Sequence, residues 1–131
     1  MKKTISVFGA TGSIGRSTLD LIAHNPNDFT VRVLTASKNV ELLAAQALQF
    51  KPELVVLADD GGYEQLCDLL SAHKDIQVTA GRQALLDAAD IEVDLCMAAI
   101  MGFAGLEPLL RSIHSSKAVA IANKEPLVAA G

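Results

Sequence analysis

A doubly wound α/β domain built on a parallel sheet is what this sequence predicts, on three observations. Short apolar runs of strand length alternate with segments of helical spacing along the 131 residues. The first run opens straight into a glycine-spaced loop and then a helix. Half of the chain is hydrophobic, Ala, Leu, Ile and Val dominate and Trp is absent, which suits helices layered on a buried sheet rather than a disulfide-stapled scaffold.

The elements follow in order. Thr4 to Phe8 is the first strand, and Ser13 to Ala23 is a helix that presents Thr18, Leu19, Leu21 and Ile22 along its apolar side. The turn Asn25-Pro26-Asn27-Asp28 leads to a second strand, Phe29 to Thr35, and Val40 to Phe50 is the second helix. Leu54 to Leu57 is a third strand, after which Asp59-Asp60-Gly61-Gly62 reads as a turn into a helix over Tyr63 to Ala72. Ile76 to Thr79, Val93 to Met97 and Ala118 to Ile121 complete the strands, with helices over Gln83 to Ala88 and Leu106 to Ile113 between them. Several of these runs are too uniformly apolar for one solvated face, so such strands are expected to be buried on both sides. Strand-helix alternation of this kind implies right-handed crossovers, helices on both faces and ligands at the carboxyl ends of the strands.

A chain of this length can bury one core, since a domain of about 130 residues removes roughly two-thirds of its unfolded surface from water, and residues 1–131 are read as one domain. Its end, Leu127 to Gly131, resembles the opening of a helix with no cap or following strand, so the domain is expected to be truncated there.

Composition also excludes. A formal net charge of -4 leaves no basic excess with which to displace counterions from a phosphate backbone, so nucleic acid is not an expected partner. Cys67 and Cys96 lack the spacing of a zinc or redox motif and read as free thiols in a reducing compartment. The apolar stretch after Met1-Lys2-Lys3 is too short for a secretory signal, and no apolar run reaches the roughly 18 residues of a membrane span. A cytoplasmic protein is expected. His24, His73 and His114 are scattered near helix ends and none reads as catalytic.

The chemistry lies in the first loop, Gly9-Ala10-Thr11-Gly12-Ser13-Ile14-Gly15. Glycine lets the backbone turn sharply and approach a diphosphate, and the open amides at the helix start favour an anion. A glycine triplet alone also fits a tight turn without ligand. Placed between a first strand and a first helix, it points to a Rossmann-type dinucleotide site, to which Thr11 and Ser13 add hydroxyl donors. NAD-preferring domains end the second strand with an acid that bonds the ribose diol. Here the strand delivers Ala36-Ser37-Lys38-Asn39 instead. Ser37, Lys38 and Asn39 place a hydroxyl, an ammonium and an amide where the 2'-phosphate of NADPH would sit, although Lys38 would otherwise be an ordinary solvated loop cation. Gly102 and Gly105, after the fifth strand, admit either close approach of a nicotinamide or close helix packing, and Met97 and Met101 read as core filler.

Several segments together carry a resemblance: GATGSIGRSTLDLI at 9–22, ASKNV at 36–40, AAIMGFAGLEPLL at 98–110 and ANKEPLV at 122–128. They are similar to the 1-deoxy-D-xylulose 5-phosphate reductoisomerase family, over the whole chain. The resemblance implies that Thr11, Gly12, Ser13 and Ile14 grip the cofactor phosphates, that Ser37, Lys38 and Asn39 contact its adenosine end, that Asn123 and Glu125 meet the cofactor and that Lys124 reaches the substrate. By themselves, Lys124 and Glu125 would read as a solvated charge pair opening a helix. The family usually has Gly where this chain has Ser37 and Ser where it has Pro126; neither change removes a charge, and Pro126 suits a first helical turn.

The resemblance further implies an NADPH-dependent enzyme of non-mevalonate isoprenoid synthesis, a homodimer that isomerises and reduces 1-deoxy-D-xylulose 5-phosphate to 2-C-methyl-D-erythritol 4-phosphate with magnesium or manganese. The family's metal carboxylates follow the NKE segment beyond Gly131, so this chain by itself is expected to be inactive and to contribute no catalytic residue or metal ligand. Asp59-Asp60 reads as a surface turn rather than a metal site. Two other readings share the glycine loop: another NADPH-dependent oxidoreductase, of the aspartate-semialdehyde or sugar dehydrogenase type, and a non-catalytic dinucleotide sensor.

Overall fold

Residues 3–98 and the strand 116–121 are described by a computed structural model of the chain. The observed order is β1 (Lys3–Phe8), α1 (Ser13–His24), β2 (Phe29–Ala36), α2 (Val40–Phe50), β3 (Leu54–Leu57), a 3-10 turn (Asp60–Gly62), α3 (Tyr63–Leu69), β4 (Gln77–Ala80), α4 (Arg82–Ala89), β5 (Val93–Ala98) and β6 (Ser116–Ile121). β3 and α2 fall at their predicted bounds. The helix expected to reach Ala72 ends at Leu69, because the chain tightens into turns in which Ser71 N–H donates to the Asp68 carbonyl and His73 N–H to that of Leu70. Ile76, expected to open the fourth strand, instead packs into the core from that turn, one residue before β4 begins. The helix predicted at Leu106 to Ile113 lies outside the described residues, as do Met101, Gly102, Gly105 and His114.

The six strands of the described residues lie in one sheet, ordered β4-β3-β2-β1-β5-β6, and every neighbouring pair is parallel. Successive crossovers carry the chain from β1 outward to β4; α4 then returns it past β1 to β5. The crossovers on either side of β1 therefore leave in opposite directions, and the crevice between β1 and β5 is the switch point at which ligands enter such sheets. Burial follows this winding. Ile5, Val7, Leu19, Ile22, Leu43 and Leu66 join α1, α2 and α3 to one face. Phe8, Val33, Val56, Leu85, Ala89 and Cys96 join α4 to the other. Cys67 is half-buried and Cys96 buried, neither in a disulfide, and no helix among the described residues is long and apolar enough to cross a membrane.

Two polar devices at the amino ends of the strands hold the register. β2 carries one residue more than β1: Ile5 pairs with Val31 but Ser6 with Val33, leaving Arg32 as a bulge. Arg32 cross-links its neighbours by donating from Nε to Glu53 Oε2 at 2.8 Å and from Nη1 to the Glu92 carbonyl at 2.6 Å. Asp94 ties three strands together. Its Oδ2 accepts from Thr4 N–H at 2.9 Å, its own N–H donates to Thr4 Oγ1 at 3.0 Å, and Lys117 Nζ lies 3.1 Å from its Oδ1.

The backbone N–H of Thr4, and after it the Lys117 ammonium, hold the Asp94 carboxyl below the usual aspartate range. A carboxylate whose folded pKa is depressed stabilises the fold above its unfolded value, near about 3.9, and loses that contribution as pH falls through the lower folded value. Asp94→Asn should therefore lower the urea midpoint at pH 7 and flatten its decline below about pH 4, where the wild-type carboxylate protonates. Parallel urea titrations from pH 7 to pH 2.5 check this.

Candidate functional site: an anion cradle at the switch point

The loop from Gly9 to Gly15 leaves the carboxyl end of β1. Gly9 makes the turn with φ of +84°, a region that L side chains rarely adopt. Gly12 N–H then donates back to the Gly9 carbonyl at 3.2 Å, and Gly12 itself, extended at φ -75° and ψ 169°, is the N-cap of α1. Gly15 is required for a different reason. A β-carbon there would strike the Gly9 carbonyl oxygen and stand 2.7 Å from Ala10 Cα, so α1 lies directly on the loop that precedes it.

This geometry leaves the start of α1 open. No side chain caps it and no acid occupies its first turn. α2 is the contrast within the same molecule: Asn39 Oδ1 accepts from Leu42 N–H at 3.2 Å, and Glu41 sits in the first turn. The amides of an uncapped helix start, with the positive end of the helix dipole, form a receptor for an anion such as a diphosphate. Thr11 is half-buried there, while Gly12, Ser13 and Ile14 are exposed.

The second loop leaves the carboxyl end of β2, the strand beside β1. Ser37, Lys38 and Asn39 are all exposed. Among the described residues no carboxylate lies within ion-pair distance of Lys38. The cap on α2 engages only the oxygen of the Asn39 amide, and its NH2 is the end that donates to an anion. Asp59 holds a turn, its Oδ1 accepting from Gly61 N–H at 3.0 Å. A recess of about 300 Å³ lies between the far ends of α1 and α2 beside Pro26 and Phe29, at the amino end of β2 and away from this site.

Two residues that hold the loops together escaped the sequence reading. Thr35 is buried in β2; its Oγ1 accepts from Gly9 N–H at 3.1 Å and its carbonyl from Ala10 N–H at 2.7 Å. Gln46 is buried on α2 and donates from Nε2 to the Ala10 carbonyl at 2.8 Å. The available signal was a polar side chain interrupting an apolar strand or helix face, a pattern that says a partner exists without saying which. Met97 packs against the core as a half-buried filler. Asn123, Lys124 and Glu125 lie outside the described residues. The strand that leads to them ends at Ile121, in register with Ala98 of β5, which is itself in register with Phe8 of β1.

A parallel sheet with its switch point beside β1, and a glycine loop between that strand and the first helix, defines a Rossmann-type fold. The chain belongs to the 1-deoxy-D-xylulose 5-phosphate reductoisomerase family, whose model matches residues 5–131. A relative of that name from Porphyromonas gingivalis is 45% identical over 132 residues, covering 100% of this chain and 34% of the relative. One from Gluconobacter oxydans is 47% identical over 130 residues, covering 99% and 32%. The solved reductoisomerase of Zymomonas mobilis in complex with NADPH superposes with a TM-score of 0.93 at 44% identity, covering 98% of this chain and 34% of that one. A reductoisomerase in complex with NADPH, fosmidomycin and magnesium gives a TM-score of 0.86 at 37% identity, covering 96% and 31%. The chain thus spans about a third of the length of the relatives it matches.

The loop glycines separate by role. Gly15→Ala should lower the thermal midpoint by the equivalent of about 1 to 3 kcal/mol, since α1 must move off the loop. Gly12→Ala should leave stability within about 0.5 kcal/mol, because the new methyl meets only the Gly9 carbonyl oxygen, at 3.5 Å, in an allowed conformation, yet it should weaken any anion bound at the helix start. Thermal melts with and without nucleotide distinguish the two.

Proposed function

We propose that residues 1–131 form an NADPH-binding domain of an enzyme that isomerises and reduces 1-deoxy-D-xylulose 5-phosphate to 2-C-methyl-D-erythritol 4-phosphate, in the cytoplasm and as a homodimer. The observation that carries this reading is the uncapped, acid-free start of α1 behind the glycine loop. It fits a diphosphate through backbone amides, as a dinucleotide requires.

In this reading Thr11, Gly12, Ser13 and Ile14 hold the diphosphate. Ser37, Lys38 and Asn39 take the 2'-phosphate; a charge-assisted bond there is worth about 1.5 to 3 kcal/mol, enough to favour NADPH over NADH by roughly ten- to a hundredfold. Asn123 and Glu125 meet the cofactor and Lys124 the phosphorylated sugar, a placement supported by the family and by the position of β6 beside β5. NADPH, when bound, supplies the hydride for the reduction. Among the described residues no group of three or more His, Cys, Asp or Glu is placed to hold a metal ion; it is the resemblance that assigns the divalent metal of the reaction to carboxylates following the NKE segment.

Calorimetric titration with NADPH and NADH tests the cofactor reading. NADPH should bind more tightly, and Lys38→Ala should weaken NADPH by about ten- to a hundredfold while leaving NADH nearly unchanged. Equal affinity for the two nucleotides would remove the role given to Lys38. The 131-residue chain alone should not oxidise NADPH when given 1-deoxy-D-xylulose 5-phosphate and magnesium, whereas the intact enzyme should, as followed by absorbance of the reduced nicotinamide.

A further inference from the structure

We propose that Gln46 is a positioning residue for the cofactor: through the Ala10 carbonyl it aims the backbone amide of the anion loop, and so controls dinucleotide affinity without touching the dinucleotide. The proposal rests on the reading of that loop as a dinucleotide site.

Gln46 lies on the buried side of α2 with Val40, Leu43, Ala44 and Ala47, and is only 7% exposed. An aliphatic side chain would fill such a position with no polar group to satisfy. Gln46 instead brings an amide into the core and satisfies only half of it. Nε2 donates to the Ala10 carbonyl at 2.8 Å, and Oε1 is buried with no hydrogen-bond partner among the described residues. Reversing the amide would set oxygen against oxygen, so the carbonyl of the loop dictates its orientation. A buried acceptor left unpaired destabilises the fold. A residue there for packing alone would be Leu or Met. What Gln46 adds is the grip on Ala10.

That grip has a directional consequence. The Ala10–Thr11 peptide is trans and planar, so its N–H points opposite to its C=O. With the Ala10 carbonyl held towards α2 by Gln46, the Thr11 N–H is turned away from α2. Thr35 fixes the other side of the same residue by accepting the Ala10 N–H at 2.7 Å. Thr35 thus holds the Gly9–Ala10 peptide and Gln46 the Ala10–Thr11 peptide that follows it, and an amide preset in this way binds an anion at a lower ordering cost.

The diphosphate is common to NADPH and NADH, whereas the 2'-phosphate is not. Loss of the Gln46 anchor should therefore weaken both nucleotides by one factor, unlike loss of Lys38. In the intact protein, Gln46→Met keeps the volume and removes both the donor and the unpaired acceptor. It should melt within a few degrees of wild type while the Kd of NADPH and of NADH both rise about five- to thirtyfold, their ratio unchanged. Gln46→Glu offers the carbonyl a donor only when its carboxyl is protonated, and burial favours that form. Its affinity for NADH, which carries no 2'-phosphate to titrate, should recover towards wild type as pH is lowered from 8 to 5.5, with no matching gain in wild type. The proposal is overturned if Gln46→Met binds both nucleotides within twofold of wild type, or changes their ratio, or loses affinity only in step with its melting temperature while acid fails to rescue Gln46→Glu. If wild type binds neither nucleotide, the dinucleotide reading itself fails and takes the role of Gln46 with it, an outcome distinct from the others.

Discussion

The close approach of α1 to the end of β1 governs the functional end of this molecule. A helix can rest on the backbone of the preceding loop only if the residue at the contact has no β-carbon, and Gly15 meets that condition against Gly9 and Ala10. Once the helix is seated there, its first amides face the carboxyl edge of the sheet with no capping side chain between them and solvent. The same contact brings Ala10 within reach of Gln46 on α2 and of Thr35 on β2. A receptor for an anion is thus built from backbone, and its rigidity is borrowed from two neighbouring elements.

The sheet supplies the location. Because β1 is flanked by β2 on one side and β5 on the other, with crossovers leaving in opposite directions, the gap at its carboxyl end is the switch point of the sheet. β2 then places the exposed Ser37, Lys38 and Asn39 next to the cradle, and β5 and β6 run parallel to β1 on its other side. The opposite end of the sheet is sealed by charge: the Arg32 bulge joins β2 to Glu53 and to the approach to β5, and Asp94 joins β1, β5 and Lys117 of β6. Polar groups at the two ends of the same strands therefore do different work, one end locked and the other open.

Legibility in the sequence tracked the range of the interaction. The glycine loop was readable because its turn, its helix start and its lack of a cap are all encoded within seven neighbouring residues. The second loop was readable because its position is set by the end of one strand and the start of one helix. The bulge at Arg32 was not, since the extra residue and the change of side at Val33 show only against β1. Thr35 and Gln46 were visible as polar residues in apolar company, but their partners lie 26 and 36 residues away along the chain. The early stop of α3 at Leu69 depended on turn hydrogen bonds that compete with helix continuation, and helical periodicity carries no information about that competition.

By itself the sequence determined the α/β class, the order of strands and helices, the anion loop and the absence of an acid after the second strand. Each of these follows from local periodicity, glycine stereochemistry or residue type at a short spacing. The tertiary structure alone decided that β1 and β5 are neighbours, that one polar side chain of α2 holds the loop of α1, and that Asp94 meets Thr4 across 90 residues of chain. Those pairings depend on where crossovers deposit their strands, a choice settled by burial of both sheet faces at once rather than by any single segment.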